Sequence, residues 1–127
     1  MRGPRARWQT GGVPLQCVIV DDNELFRQVA RHLLEQQGMA VVGVAANGAE
    51  ALRQARELRP DVALVDISLG TESGFDVGWQ ITPYVSSVIL ISSRYEDDYA
   101  ELIADSPAVG FLSKIKLSAD AIRRLLM

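Results

Sequence analysis

At 127 residues, 48% hydrophobic and 23% charged, the chain has the composition of one ordinary globular domain, which excludes a disordered or fibrous polymer. Folding at this size buries roughly two-thirds of the surface the unfolded chain exposes, so neither a metal nor a disulfide is needed merely to hold the fold. Net charge is −3; without the segment up to Pro14, which holds Arg2, Arg5 and Arg7 and no acid, 10 basic residues face 16 acidic ones, a balance of −6 that disfavours direct nucleic-acid binding by the folded part.

Residues 1–14, rich in Gly, Pro and Arg and lacking periodicity, are expected to form a flexible N-terminal extension ahead of a domain spanning 15–127. No apolar stretch approaches the about 20 residues of a membrane-spanning helix, and Met1 to Trp8 lacks the apolar centre of a signal peptide. A soluble, cytoplasmic chain with no membrane partner is expected. Cys17 is the single cysteine, and its place in the run Cys17-Val18-Ile19-Val20 marks it as a core residue rather than a reactive thiol.

Gln16 to Val20 is a short apolar run ending in acids, which suits a buried strand. From Asn23 the pairs Leu25-Phe26, Val29-Ala30 and Leu33-Leu34 recur every four residues, predicting an amphipathic helix that stops near Gly38. His32 falls outside that stripe and reads as a surface residue. Met39 to Val44 is the second strand. Asn47 followed by Glu50 opens a helix carrying Ala51, Leu52, Ala55 and Leu58 inward, which Pro60 ends. Asp61 to Asp66 is a third strand, followed by a short helix from about Glu72 to Ile81. Val88 to Ile91 is the fourth strand, ending at Ser92-Ser93, and a polar helix from about Tyr95 to Ala104 follows with Leu102 and Ile103 as inward candidates. Val109 to Leu112 is the fifth strand, and Ser118 caps a last helix with Ala121, Ile122 and Leu125 facing the core.

Five strands alternating with five helices predict an α/β fold, an open parallel sheet covered on both faces. Ligands of such sheets sit beyond the carboxyl ends of the strands. Those ends deliver Asp21 and Asp22, Asp66, Ser92 and, just beyond Leu112, Lys114. Like charges about 4 Å apart cost about 4 kcal/mol at an effective dielectric near 20, so three gathered carboxylates call for a cation. Mg²⁺ is the natural candidate, because it takes hard oxygen ligands and keeps waters and a phosphate oxygen in its shell. Together with the Lys114 ammonium it would neutralise charge on a transferred phosphoryl group while a carboxylate attacks in line. Asp66, central and flanked by the acids of the neighbouring strand, is the best nucleophile.

The segments Val18-Ile19-Val20-Asp21-Asp22, Val62-Ala63-Leu64-Val65-Asp66-Ile67-Ser68-Leu69, Val88-Ile89-Leu90-Ile91-Ser92 and Gly110-Phe111-Leu112-Ser113-Lys114 resemble the receiver domains of bacterial two-component response regulators, from about Leu15 to the end of the chain. The resemblance implies a doubly wound, flavodoxin-like fold with five parallel strands in the order 2-1-3-4-5. It implies Asp66 as phosphoacceptor, Asp22 as a direct Mg²⁺ ligand, Asp21 acting largely through water, and the Ser68 backbone carbonyl completing the protein share of the metal shell. It further implies Ser92 as the switch hydroxyl, Phe111 as the switch aromatic and Lys114 as the phosphoryl-binding cation. The implied donor is a histidine kinase or phosphotransfer protein, and the implied readout surface is the fourth helix, fifth strand and fifth helix, which is also a possible homodimer face. Such a domain is a phosphoacceptor rather than an enzyme, at most phosphorylating itself from small donors and slowly losing the group. Gly70 and Ile115 stand where many members have proline, and Arg94 and Ser68 lie at positions that tune phosphoryl lifetime.

Two enzyme-like rivals fail on residues. A haloacid-dehalogenase phosphatase needs a second Asp two positions after the nucleophile, where Ser68 stands, and a flavin carrier wants a Ser/Thr/Gly-rich phosphate loop where Asp21 and Asp22 stand. The remaining alternative is a receiver-like scaffold that is never phosphorylated and binds partners constitutively. The chain ends at Met127, directly after the expected fifth helix, as a single-domain regulator or as a receiver cut from a longer protein, whose output would be DNA binding by family analogy only.

Overall fold

The computed structural model describes residues 14–94 and 96–127, so the expected N-terminal extension, apart from Pro14, and Tyr95 lie outside the described residues. The sheet consists of β1 (Gln16–Val20), β2 (Ala40–Ala45), β3 (Val62–Asp66), β4 (Ser87–Ser92) and β5 (Gly110–Ser113), all parallel and ordered β2-β1-β3-β4-β5. Helices α1 (Glu24–Gln36), α2 (Gly48–Leu58), α3 (Gly74–Ile81), α4 (Ala100–Ala104) and α5 (Ala119–Leu126) connect or follow the strands. This is the expected doubly wound arrangement.

Strand periodicity splits the interior into two cores. Cys17, Ile19, Val62, Leu64, Ile89 and Ile91 point to one face and pack with Ala30 and Leu34 of α1 and Ile122 of α5. Their neighbours Val18, Val20, Ala63, Val65, Val88 and Leu90 point to the other, against Ala51 and Ala55 of α2 and Val77 and Ile81 of α3. Because successive side chains of a strand face opposite ways, a sheet covered on both sides must be apolar at nearly every position, as these runs are. Burial in the first core also pushes the Cys17 thiol up, far from a reactive thiolate.

Caps set the helix starts. Asn23, Asn47, Ser73 and Ser118 each accept a backbone N–H of the following first turn with the side chain. Several inward assignments need correction. Leu25 and Val29 are 69% and 57% exposed, since the second member of each α1 pair turns further toward the sheet on a 3.6-residue period, and Leu58 stands partly exposed at the end of α2. The third helix begins at Gly74 rather than Glu72, because Glu72 and Ser73 pair antiparallel with Ser68 and Leu69 in a two-rung hairpin. The fourth helix is a 3-10 turn over Glu96–Tyr99 followed by the five-residue α4. Leu102 is exposed there and only Ile103 packs on the second core, because Asp105 and Ser106 close the chain back onto Glu101 and Ile103 just before Pro107.

The hairpin is locked to the end of β3 by a close approach. The Gly74 N–H donates to the Ile67 carbonyl at 2.9 Å, and a Cβ on Gly74 would run into the Asp66 carbonyl and stand 2.6 Å from the Ile67 Cα. Only glycine fits, since the obstruction is backbone rather than a flexible side chain. Gly74→Ala should therefore lower stability by about 2–3 kcal/mol, or roughly 10 °C in Tm by thermal circular dichroism, and an unchanged Tm would refute the packing argument.

Candidate functional site

The alternation that builds the cores also aims the polar ends of the strands. Asp21, Asp66 and Lys114 each stand two residues beyond a side chain of the first core, Ile19, Leu64 and Leu112, so the strand period turns all three to the α1 side. The Lys114 Nζ lies 2.6 Å from Asp21 Oδ2 and 3.0 Å from Asp66 Oδ2. Asp21 and Asp66 are both buried, while Asp22 is exposed at the rim. One carboxylate oxygen from each of these three acids lies within 4.8 Å of the others. The acids and the ammonium expected to meet do so.

Each carboxylate is oriented by the chain that follows it. Asp21 Oδ1 accepts the Asn23 N–H at 2.8 Å, and Asp66 Oδ1 accepts the Ser68 N–H at 3.0 Å, which leaves both Oδ2 atoms facing Lys114. Arg27 of α1 donates to the Asp21 carbonyl at 2.7 Å and so ties the helix to the loop that carries the acids. Ser68 is exposed at the foot of the hairpin, and the hairpin's Gly70, at φ +63°, lies beside the Asp22 carboxylate.

Phe26 is a contributor that the sequence pattern showed only as a member of the α1 stripe. Its ring centroid is 4.4 Å from the Lys114 Nζ, so the ammonium rests between two carboxylates and an aromatic face. The signal was available in principle, since Phe26 lies in the first turn of α1 just after Asp21 and Asp22, but the strand that brings Lys114 above it is about ninety residues away.

Ser92 and Phe111 do not join this group. Both follow the parity of the second core, on the opposite side of the sheet. The Ser92 hydroxyl is buried and accepts the Arg94 N–H at 2.9 Å; among the described residues it makes no hydrogen bond to Asp66. The Phe111 ring is half-buried against the second core. The Lys114–Ile115 bond, like every described peptide bond, is trans, as expected of a non-proline residue.

The donor set fits a hard divalent cation. It consists of three carboxylates, and the fully buried Asp21 Oδ2 has the Lys114 ammonium, 2.6 Å away, as its close charged partner. Burial pushes the Asp66 carboxyl up from its ordinary range, and the Asp21 charge adds to this against the Ser68 N–H and the Lys114 ammonium. Burial pulls the Lys114 ammonium down, but the two carboxylates outweigh it and hold the group above its ordinary value.

A carboxyl raised on folding contributes stability that is full below its unfolded pKa and is lost as pH rises through the folded one. Ionising Asp66 is therefore a cost to the domain. Asp66→Asn should raise Tm by a few degrees at pH 7 without Mg²⁺, with the gain shrinking as pH falls from the raised range of Asp66 to the ordinary carboxylate range. Differential scanning fluorimetry across pH 4–8 checks this, and a lowered Tm at pH 7 would contradict it.

The similarities to known proteins follow the same lines. Residues 17–126 match the sequence family described as the response regulator receiver domain. A transcriptional regulatory protein, LiaR of Bacillus subtilis, is 33% identical over 115 residues, 86% of this chain and 54% of that protein. A protein-glutamate methylesterase/protein-glutamine glutaminase of Hahella chejuensis is 37% identical over 82 residues, 64% of this chain and 24% of that protein. The chain thus spans between a quarter and about half the length of these curated relatives. Among solved structures, the signal receiver domain of the putative response regulator NarL from Mycobacterium tuberculosis superposes with a TM-score of 0.76 at 30% identity, covering 89% of this chain and 94% of that one. The receiver domain of a modulated diguanylate cyclase from Desulfovibrio desulfuricans gives 0.75 at 32%, covering 90% and 91%. Family match, sheet order and the acid-rich strand ends agree: the chain belongs to the response regulator receiver domains of two-component signalling.

Proposed function

We propose that this receiver accepts a phosphoryl group on Asp66, with Mg²⁺ as cofactor and a histidine kinase or phosphotransfer protein as donor, and changes its surface in consequence. The observation that carries the reading is the Asp66 carboxylate paired with Lys114 at 3.0 Å among three carboxylates whose oxygens lie within 4.8 Å of one another. An oxygen of Asp66 attacks the donor phosphorus in line as the bond to the donor breaks, and Lys114 transfers part of its pairing from Asp66 to a phosphoryl oxygen. Asp22, Asp66, the Ser68 backbone carbonyl and, largely through water, Asp21 would hold the metal, whose charge offsets that of the phosphoryl oxygens.

Ser92 acts as the switch hydroxyl and Phe111 as the switch aromatic. The bond from the Arg94 N–H is a local turn contact, which a hydroxyl can exchange for a stronger, charge-assisted bond to a phosphoryl oxygen. That movement opens space on the second-core side of the sheet, where Phe111 packs, and alters the face formed by α4, β5 and α5. We take this face as the surface read by a partner or output domain, or by a second copy in a homodimer. The receiver unit is read as residues 15–127, with 1–14 as an extension, acting in the cytoplasm as a phosphoacceptor rather than an enzyme and without contacting nucleic acid itself.

Acetyl phosphate with Mg²⁺ should add one phosphoryl group to the wild type and none to Asp66→Asn in intact-mass spectra. Equal labelling of the two proteins would remove Asp66 as acceptor, and no labelling of either would favour a constitutive scaffold. Ser92→Ala should still be labelled but show a smaller change in hydrogen exchange around Phe111, whereas a full response would assign the switch elsewhere.

A further inference from the structure

The hairpin Ser68–Leu69/Glu72–Ser73 forms one wall of the acid cluster. At its foot the Ser68 N–H orients Asp66, and Gly70 in its turn lies beside Asp22, a Cβ there standing 3.7 Å from the Asp22 Oδ2. The segment carries no proline, and Gly70 at φ +63° confers no stiffness of its own. Its return to α3 is secured by the Gly74 N–H and the Ser73 cap. On the far side, Glu72 reaches across to the first residue of α2, where its Oε1 accepts the Gly48 N–H at 2.9 Å. This N–H is one of the donors a helix start leaves unpaired, and a carboxylate there also meets the positive end of the helix dipole. Gly48 leaves the room: a Cβ at that position would stand 2.6 Å from Glu72 Oε2 and 3.0 Å from Val77 Cγ2.

We infer that Glu72 is a positioning residue, a side-chain tether that holds the hairpin against α2 and thereby sets the Ser68 carbonyl, the Asp66 rotamer and the wall beside Asp22 for metal binding. This rests on the phosphoacceptor reading of the site. Glu72 touches neither the phosphoryl group nor the metal. To the hairpin's own two-rung ladder and the burial of Leu69 in the second core it adds one hydrogen bond to α2, in the way outer partners orient a ligand set. Since the bond needs an acceptor and not a charge, Gln preserves it and Ala does not.

The test compares wild type, Glu72→Gln, Glu72→Ala and Gly48→Ala, using MgCl₂ titration by calorimetry and amide exchange of residues 67–73 in metal-free protein. Glu72→Ala should weaken Mg²⁺ binding about tenfold and speed exchange of the hairpin, while Glu72→Gln stays within about twofold of wild type. Gly48→Ala keeps the charge but places a methyl against the carboxylate, so it should lose Mg²⁺ affinity as Glu72→Ala does. It carries the test should Glu72→Ala fail to fold. Wild-type affinity and exchange in the alanine variants would overturn the tether, as would equal losses in Glu72→Ala and Glu72→Gln, which would assign the effect to charge. Acetyl phosphate labelling of the wild type separates the two readings: a labelled wild type with an unaffected Glu72→Ala sinks the tether alone, and an unlabelled wild type sinks the role of Asp66 while exchange and titration still judge the tether.

Discussion

Two buried carboxylates and one ammonium at the end of a parallel sheet are the constraint on which the rest of this molecule depends. Asp21 and Asp66 are nearly without solvent, and without Lys114 between them each would carry its charge at the expense of the other and of the surrounding apolar strands. The neutralisation is incomplete, because Asp22 adds a third negative group at the rim. Excess negative charge and hard oxygen donors suit a divalent cation. The direction in which burial pushes Asp66 records the same deficit from the side of the proton.

The fold bears on that site through parity. An uninterrupted apolar run covers both faces of the sheet, and its two-residue period carries over into the polar residues that follow. Asp21, Asp66 and Lys114 continue the first core toward α1, where Phe26 lies under the ammonium. Ser92 and Phe111 continue the second core, toward the other layer. The sheet thereby separates the charged cluster from the hydroxyl and the aromatic by one side-chain alternation. A rearrangement linking them must pass through the ends of β4 and β5, and the turn bond between Ser92 and Arg94 sits at that junction.

The loops divide labour in a similar way. On the β1 side the acids are fixed by the start of α1, through Asn23 and Arg27. On the β3 side the chain makes a small hairpin held by the buried Leu69 side chain, by glycine close to backbone at one end and by a carboxylate on a helix start at the other. The geometry around Asp66 is thus held by a few hydrogen bonds, while the strands beneath it are held by close packing.

Taken alone, the amino-acid sequence determined the five strands and their order of appearance, the caps at Asn47 and Ser118, the burial of Cys17, and the coincidence of Asp21, Asp22, Asp66 and Lys114 at strand ends. All of these are local in chain or follow from periodicity, and the motif resemblance supplied the strand order. Tertiary structure decided what depends on contacts between distant segments. It placed Lys114 over Phe26, sent Leu25, Val29 and Leu102 to solvent, and turned Glu72 from an expected helix start into a hairpin strand bonded to Gly48. It also turned the Ser92 side chain toward the second core, because which way a strand-end side chain points follows from how that strand packs on its neighbours, and residue order along the chain leaves that choice open.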